Sequence, residues 1–227
     1  MKPSLYFFLG VFGAIALSWA AIVVGSHRQL RALGTHFDPL DNMSVPAAMS
    51  GQAAQGQRVY QELGCGACHT QQVRRYGYGW DQNRGWGERQ SVARDYALQT
   101  HPQLGQARIG PDLANFGERA VKAGVDRAKL YRMLHDGQGG MPAFSFLFER
   151  RAIVGQKSSA ALALPVAPGW QVVPTSRAEA LVSYLLALKQ DYALPEAPAA
   201  VIPAAVPATP APAASTAPAA TAPAKTP

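Results

Sequence analysis

Two cysteines and a histidine lie within five consecutive residues, in the segment Cys65-Gly66-Ala67-Cys68-His69. The chain contains no other cysteine. Two thiols at this spacing can each form a thioether with one vinyl group of a haem, and the imidazole that follows is then held beneath the iron. The segment, called the haem motif below, predicts one covalently bound haem c, attached through Cys65 and Cys68, with His69 as an iron ligand.

Three other readings of the haem motif compete with this prediction. A redox-active C-x-x-C disulfide usually lies near a strand-helix-strand pattern, which the sequence lacks, and it does not need the histidine. A structural zinc site needs four ligands, and the chain has no second Cys/His pair at short spacing. A chance match is the third. An amphipathic pattern before the motif and an apolar N-terminus suited to export favour haem.

A low-spin electron carrier needs a second axial ligand, and Met141 is the favoured candidate. Gly139-Gly140-Met141-Pro142 predicts a loop in which glycines allow close approach and the proline stiffens the exit. His135 is the main alternative, although a histidine in a last helical turn can simply face the helix C-terminus. Met/His ligation raises the haem potential and leaves no vacancy for oxygen, which predicts a carrier. The other candidates are Met43, Met49, Met133, His27, His36, His101 and an open sixth position.

The segment Gly110-Pro111-Asp112-Leu113 lies between the haem motif and the next helical pattern. A ligating imidazole usually donates its other N–H to a carbonyl, which fixes its tautomer and orientation. A loop stiffened by proline suits that acceptor, so we predict that the Pro111 carbonyl is the partner of His69. An ordinary Gly-Pro turn is the alternative.

The N-terminal run from Pro3 to Ser26 contains no charged residue. A helix needs about 20 apolar residues to cross the hydrocarbon core, so this run is long enough. A cleaved signal peptide with a Ser18-Trp19-Ala20 cleavage site is the alternative, but the apolar run continues beyond that site. We therefore predict an uncleaved transmembrane anchor. Lys2 on one side and Arg28 on the other leave its orientation undecided.

Composition divides the chain into four segments. Residues 1-27 are the predicted anchor, and residues 28-50 are a tether without a sustained period. Residues 51-194 are the folded domain. Residues 195-227 consist almost entirely of Ala and Pro. Proline has no amide donor and alanine offers little surface to bury, so we expect a disordered tail without a catalytic role.

Three helical patterns and no comparable β pattern occur in the folded domain, so the predicted fold class is all-α. The first helix, about residues 53–63, should stop at Gly64, which suits a left-handed cap. The second, Asp126 to His135, begins at an Asp N-cap and ends at Gly137. The third begins at a capping box, Ser176 to Glu179. The predicted core faces are Gly56, Val59, Tyr60 and Leu63, then Leu130, Tyr131 and Leu134, and then Leu181, Val182, Tyr184, Leu185 and Leu188.

The formal charge of +7 and the pI near 9.6 indicate a basic surface. Charge alone does not distinguish nucleic acid, anionic lipid and an acidic protein as the partner. No nucleic-acid-binding motif is present, so we expect no nucleic-acid partner.

The order of the motifs resembles class I cytochromes c. The shared features are a helix, the haem motif, Gly-Pro-x-Leu, Met-Pro and a last helix that contains Tyr184 to Leu188. In that family the first and last helices cross, which implies contact of Gly56 and Tyr60 with Tyr184 and Leu185. The predicted roles of the Pro111 carbonyl and Met141 fit the same template.

A narrower resemblance is to the monohaem cytochrome c subunit II of cbb₃-type cytochrome c oxidases. It rests on Gly56 to Tyr60, Gly64 to Arg74, Gly110 to Ala114 and Met141 to Phe144, together with the N-terminal apolar run and a long insert between motif and Gly-Pro loop. Cys-His-Thr-Gln-Gln-Val-Arg is much more specific than C-x-x-C-H. The sequence departs from that family in the insert, residues 75–108, and in the region from Phe144 to Pro174.

The resemblance implies a relay that passes electrons from another cytochrome c subunit or donor to the catalytic haem-copper oxidase subunit. It also implies a single-pass protein of the bacterial inner membrane whose haem domain faces the periplasm, since haem is attached outside the cytoplasm. The chain would then be an electron-transfer subunit without catalysis of its own. Trp80, Trp86, Arg84, Arg89 and Arg94 make the insert a candidate docking surface, since Arg and Trp are enriched at interface anchors.

Two other functions remain open at this point. A free-standing, membrane-tethered electron shuttle between respiratory complexes requires the same haem ligands. A haem-bearing sensor or peroxidase-like enzyme would instead need an open or displaceable sixth position at the iron.

Overall fold

This computed structural model describes residues 3–201, which contain helices and two small antiparallel sheets joined by long irregular segments. The predicted tail lies outside the described residues from position 202 onward. In chain order the elements are α1 (Pro3–Trp19), α2 (Gly25–Arg31), β1 (His36–Asp38), β2 (Met43–Val45), α3 (Gly51–Glu62), α4 (Phe116–Lys122), α5 (Arg127–Asp136), β3 (Phe148–Ala152), β4 (Trp170–Pro174) and α6 (Ser176–Ala187).

The N-terminal helix runs without interruption from Pro3 to Arg31, because a π-helical turn at Ala20–Val24 joins α1 to α2. Its 29 residues extend about 43 Å at about 1.5 Å per residue. That exceeds the hydrocarbon core of a bilayer, which is about 30 Å thick. Its large apolar side chains are exposed on all sides. Length and composition therefore indicate membrane anchoring.

The crossing of α3 and α6 is the centre of the folded domain. The backbones meet at Gly56, where an added Cβ would lie 1.9 Å from the Ala180 carbonyl oxygen and 2.6 Å from Tyr184 Cβ. The rings of Tyr60 and Tyr184 then pack with their centroids 5.4 Å apart. Both rings are almost completely buried. The predicted crossing of the first and last helices is confirmed.

The predicted helices and their apolar faces are confirmed with small shifts at the ends. Asp126 is the N-cap of α5, and its carboxylate accepts from the Lys129 amide at 2.8 Å. The α6 N-cap is Thr175, not Ser176, and its hydroxyl accepts from the Ala178 amide. Gly64 adopts the left-handed conformation, with φ of 69°. Helix α4 had no counterpart among the predicted helices.

The prediction of a purely all-α fold is wrong, because the described residues also contain two two-stranded sheets. Strand β1 pairs with β2 within the predicted tether, and β3 pairs with β4 in the folded domain, where Phe148 lies opposite Pro174. The loop between β3 and β4 is long, so the sequence carries no tight-turn signal of the Asn-Gly or Asp-Gly kind. Only Phe148 of β3 is buried, while β4 buries four of its five residues.

The predicted tether and the first residues after the domain pack against each other. Val45 forms a small buried cluster with Leu194 and Ala197. The Arg94 guanidinium donates to the Gly34 carbonyl at 2.7 Å and pairs with Glu196. Farther on, the Ala200 amide donates to the Glu88 carbonyl at 2.8 Å. Residues 34–45 are therefore attached to the domain, and the chain contacts the domain as far as Ala200.

Candidate functional site

The haem motif is a tight turn directly after α3. Once Gly64 reverses the chain, Cys65–Ala67 form a 3-10 turn. The Ala67 amide donates to the Gly64 carbonyl at 2.9 Å, and the His69 amide donates to the Cys65 carbonyl at 2.9 Å. These bonds hold the two cysteines and His69 in one compact turn, which is the local geometry that two thioethers and one ligand require.

His69 lies against the Gly-Pro loop. Its Nδ1 is 2.8 Å from the Pro111 carbonyl oxygen, across 42 residues of chain. An added Cβ on Gly110 would lie 2.2 Å from His69 Cε1, so the loop touches the ring edge and leaves no room for a side chain. A carbonyl accepts only, so Nδ1 must carry the proton and Nε2 keeps its lone pair. The predicted contact between His69 and Pro111 is therefore present.

The donor set of this turn fits haem c. It offers two free thiols and an imidazole whose Nε2 is left available as a ligand. Burial raises the pKa of the Cys65 thiol to about 11. Reactive C-x-x-C thiols in disulfide oxidoreductases have lowered pKa values, so the environment of Cys65 is unlike theirs. The fit supports haem attachment over redox exchange.

Met141 lies in the loop after α5 and packs, like Cys65, against the main core cluster. Its amide donates to the Gln138 carbonyl at 3.0 Å. The glycine that allows the close approach is Gly137, where an added Cβ would lie 2.7 Å from the Met141 carbonyl oxygen. Gly139 and Gly140 have open space instead. Cys65 and Met141 thus border the same core, and among the described residues His69 has its side-chain hydrogen bond with Pro111 and none with Met141.

His135, the main alternative ligand, has other partners. Its Nδ1 is 2.6 Å from Asp136 Oδ1, and its ring packs edge-on against Phe148 with centroids 5.2 Å apart. Met133 and Met49 pack against the main core, and Met43 is exposed. His27 and His101 are exposed and His36 is half-buried in β1. Met141, Met133 and Met49 thus border the same core, and only Met141 lies in a glycine-rich loop, so Met141 stays the predicted ligand.

The insert is folded onto the domain through its arginines. The Arg89 side chain is 4% exposed and pairs with the fully buried carboxylate of Asp95 at 2.7 Å. Arg94 binds Gly34 and Glu196, as described above. The predicted docking role is therefore restricted to residues that remain exposed, such as Trp80 at 69% and Arg84, whose guanidinium lies over Trp86.

Three charged residues around the Gly-Pro loop, Asp81, Arg108 and Asp112, had no role predicted from the sequence. Asp112 accepts from the Thr70 hydroxyl at 2.5 Å and from the Gln72 amide at 2.8 Å. Arg108 donates to both carboxylate oxygens of Asp81 at 2.6 Å. The Asp81 and Arg108 positions are 27 residues apart, and no helical or strand period relates them. Only the position of Asp112 directly after Gly-Pro offered a signal.

Comparison with protein families agrees with this site. Residues 38–167 match the family model of the cytochrome c oxidase mono-heme subunit, FixO. This range is more than half of the 227-residue chain. The chain belongs to this family. The match includes the haem motif, the insert, the Gly-Pro loop and Met141. A search of curated proteins finds no match.

Membership in the FixO family confirms the narrower resemblance and defines the general role. The chain is a mono-haem subunit of the cytochrome c oxidase class, and its role is in electron transfer. The family implies haem c as the cofactor and other oxidase subunits as partners. The N-terminal helix agrees with a membrane-bound subunit.

Proposed function

We propose that this chain carries one haem c, bound through Cys65 and Cys68, and relays electrons to the catalytic haem-copper subunit of a cbb₃-type oxidase. The electrons would come from another cytochrome c subunit or a soluble donor. The observation that carries the proposal is the contact of His69 Nδ1 with the Pro111 carbonyl, next to two free thiols, in a chain of the FixO family.

The residues of the site have separate tasks in this proposal. Haem c supplies reversible one-electron chemistry when bound. Cys65 and Cys68 would hold it covalently, and His69 Nε2 and the Met141 thioether would bind its iron. The Pro111 carbonyl keeps the His69 Nδ1 proton in place, which orients the ring and increases its basicity as a ligand. With Met141 bound to the iron, the site would exchange electrons without binding oxygen.

The proposed location is the bacterial inner membrane. Residues 1-27 would be the single-pass anchor, residues 28-50 the tether and residues 51-194 the haem domain in the periplasm, with residues 195-227 as a tail. Basic residues next to a membrane helix usually lie on its cytoplasmic side. Arg28 and Arg31 instead lie at the end of the helix next to the haem domain, so their charges do not support this orientation. The requirement for haem attachment outside the cytoplasm supports the stated orientation.

The attachment of the tether favours a fixed subunit over a diffusing shuttle. Arg94 binds the Gly34 carbonyl only a few residues after the helix ends at Arg31. Val45 is buried against Leu194 and Ala197. A shuttle gains reach from a flexible tether, because the reach of a random coil grows with the number of free residues. Here few residues are free between helix and domain, so the reach is short.

Extraction in mild detergent and native separation test the proposed function. We expect the full-length chain to carry one haem by mass and to co-migrate with oxidase activity, because an oxidase subunit stays bound to its complex. A chain with Cys65→Ser and Cys68→Ser should have the mass of the bare polypeptide. A haem-bearing band that migrates alone would favour the shuttle, and a wild-type chain of bare mass would contradict the proposal.

Replacement of the proposed sixth ligand should separate haem attachment from haem potential. We expect Met141→Ala to retain covalent haem but to have a lower midpoint potential, because the thioether raises the potential relative to nitrogen or water ligation. The reduced variant should also bind carbon monoxide. Met133→Ala is the control, since Met133 packs against the same core from α5. Rapid, complete carbon monoxide binding by the wild-type protein would contradict Met141 ligation.

A further inference from the structure

The position of the Pro111 carbonyl depends on how two chain segments are aligned. Residues 68–72 begin at the second cysteine of the haem motif, and residues 110–114 contain the Gly-Pro loop. The Gly110 amide donates to the Cys68 carbonyl at 2.9 Å, and the Leu113 amide donates to the Thr70 carbonyl at 2.7 Å. The contact between His69 and Pro111 lies between these two bonds. Any slip between the segments would therefore lengthen that contact.

The buried Asp112 side chain forms hydrogen bonds with both segments. Its side chain is fully buried and accepts from the Thr70 hydroxyl, the Gln72 amide and the Ala114 amide at 2.5, 2.8 and 2.9 Å. Pro111 and Asp112 share one peptide plane, since the peptide group is planar. The bonds of the Asp112 carboxylate thus restrict the direction in which the Pro111 carbonyl points.

Arg108 and Asp81, both from the insert, complete this arrangement. The Arg108 guanidinium donates to both Asp81 oxygens at 2.6 Å and to the Gln72 carbonyl, and it lies 3.7 Å from the Asp112 carboxylate. Asp81 also accepts from the Arg74 amide at 2.7 Å. Burial pushes the pKa of Asp81 upward, but its hydrogen bonds with Arg108 and Arg74 outweigh burial and hold that pKa below its usual range. The Asp81 carboxylate is therefore ionised near neutral pH.

We propose that Arg108, held by Asp81, is a positioning residue for the haem: it aligns Gln72 with Asp112, keeps the Pro111 carbonyl on His69 Nδ1 and thereby lowers the haem potential. This inference rests on the proposed function, because it requires His69 to be an iron ligand. It gives the insert a role in tuning the electron carrier, in addition to any contact with partner subunits.

The direction in which the haem potential shifts on substitution of Arg108 distinguishes a positioning role from an effect of the Arg108 charge alone. A firm Nδ1–H···O bond makes the imidazole a stronger donor, which stabilises the oxidised iron and lowers the potential. Loosening that bond should raise the potential. By contrast, removal of a nearby positive charge favours the oxidised state and should lower the potential. Arg108→Leu therefore has opposite expected shifts under the two explanations, and Arg108→Lys keeps the charge but loses the planar fork that reaches several acceptors.

The experiment measures midpoint potentials of the full-length haem protein in detergent for the wild type, Arg108→Lys, Arg108→Leu and Arg75→Leu. Arg75 is the matched control, because it is exposed, lies in the same insert and carries the same charge. We expect both Arg108 variants to have raised potentials and Arg75→Leu to show a small decrease. We also expect the His69 Nδ1 proton, observed by NMR in the reduced protein, to exchange with solvent several-fold faster in both Arg108 variants.

Two outcomes would overturn the inference. One is an Arg108→Lys potential and proton exchange rate equal to those of the wild type. The other is an Arg108→Leu potential lowered in the same direction as that of Arg75→Leu. The mass of the wild-type chain is measured first, to establish whether haem is attached. The proposed function and the positioning role of Arg108 can then be rejected independently. A wild-type chain without haem rejects the proposed function, whereas attached haem with either of the two outcomes rejects only the positioning role.

Discussion

Gly110→Ala is expected to cause a large loss of low-spin haem protein. The new Cβ would lie 2.2 Å from His69 Cε1 and 2.8 Å from Nε2, which is far inside van der Waals contact. The ring cannot move aside freely, because its Nδ1 is bonded to the Pro111 carbonyl of the same loop. Overpacking of this kind costs about 1–3 kcal/mol, occasionally more. Haem content per chain and the low-spin absorption spectrum measure the result.

Gly66→Ala is the matched control for this prediction. Gly66 lies inside the haem motif itself, but an added Cβ there would be 3.8 Å from Gly105 Cα, which is an ordinary contact. We expect this variant to keep its haem and its spectrum. If Gly110→Ala had the same haem content, spectrum and potential as the wild type, the observed placement of His69 against the loop would be contradicted.

Gly56→Ala is expected to destabilise the whole domain. Its Cβ would lie 1.9 Å from the Ala180 carbonyl oxygen and 2.5 Å from the carbonyl carbon, so that two helix backbones must separate. Backbone atoms at a helix crossing cannot rotate away as a side chain end can. We expect a cost at or above the upper end of the about 1–3 kcal/mol typical of overpacking, a large share of the about 5–15 kcal/mol that stabilises most domains.

The measurement is thermal unfolding of the full-length chain in detergent, followed by circular dichroism. Gly51→Ala is the control, since Gly51 begins the same helix and an added Cβ there has open space around it. Alanine also has a higher helix propensity than glycine. We therefore expect an unchanged or slightly higher melting temperature for Gly51→Ala. A Gly56→Ala melting temperature within the error of the wild-type value would contradict the close crossing of α3 and α6.

The elements that sequence periodicity predicted correctly are those whose signals are local. Helix α5 has both its Asp126 cap and an apolar face with helical spacing, and these signals act within one turn of each other. Strands β3 and β4 were missed for the opposite reason. Their pairing joins residues on either side of a long loop, and only the packed structure shows that Val172 and Val173 are buried.

Within the candidate site, the haem motif could be predicted from local sequence, whereas the link from Arg108 to the Gly-Pro loop could not. Cys65, Cys68 and His69 are within one turn, so their types and spacing predict their chemistry directly. The link from Arg108 through Gln72 to the Gly-Pro loop has no such spacing. Asp81 lies in a stretch of the insert rich in Arg, Trp and Gly, where a sequence pattern predicts an exposed basic surface.

The sequence alone predicted the haem cofactor, the apolar N-terminal helix and helices α3, α5 and α6, because each depends on residues that are close along the chain. The tertiary structure decided the rest: the two small sheets, the attachment of the tether at Gly34 and Val45, and the inward direction of Arg89 and Arg108. A buried arginine is stable only beside an acceptor such as Asp95 or Asp81, and those partners are chosen by the folding of distant segments.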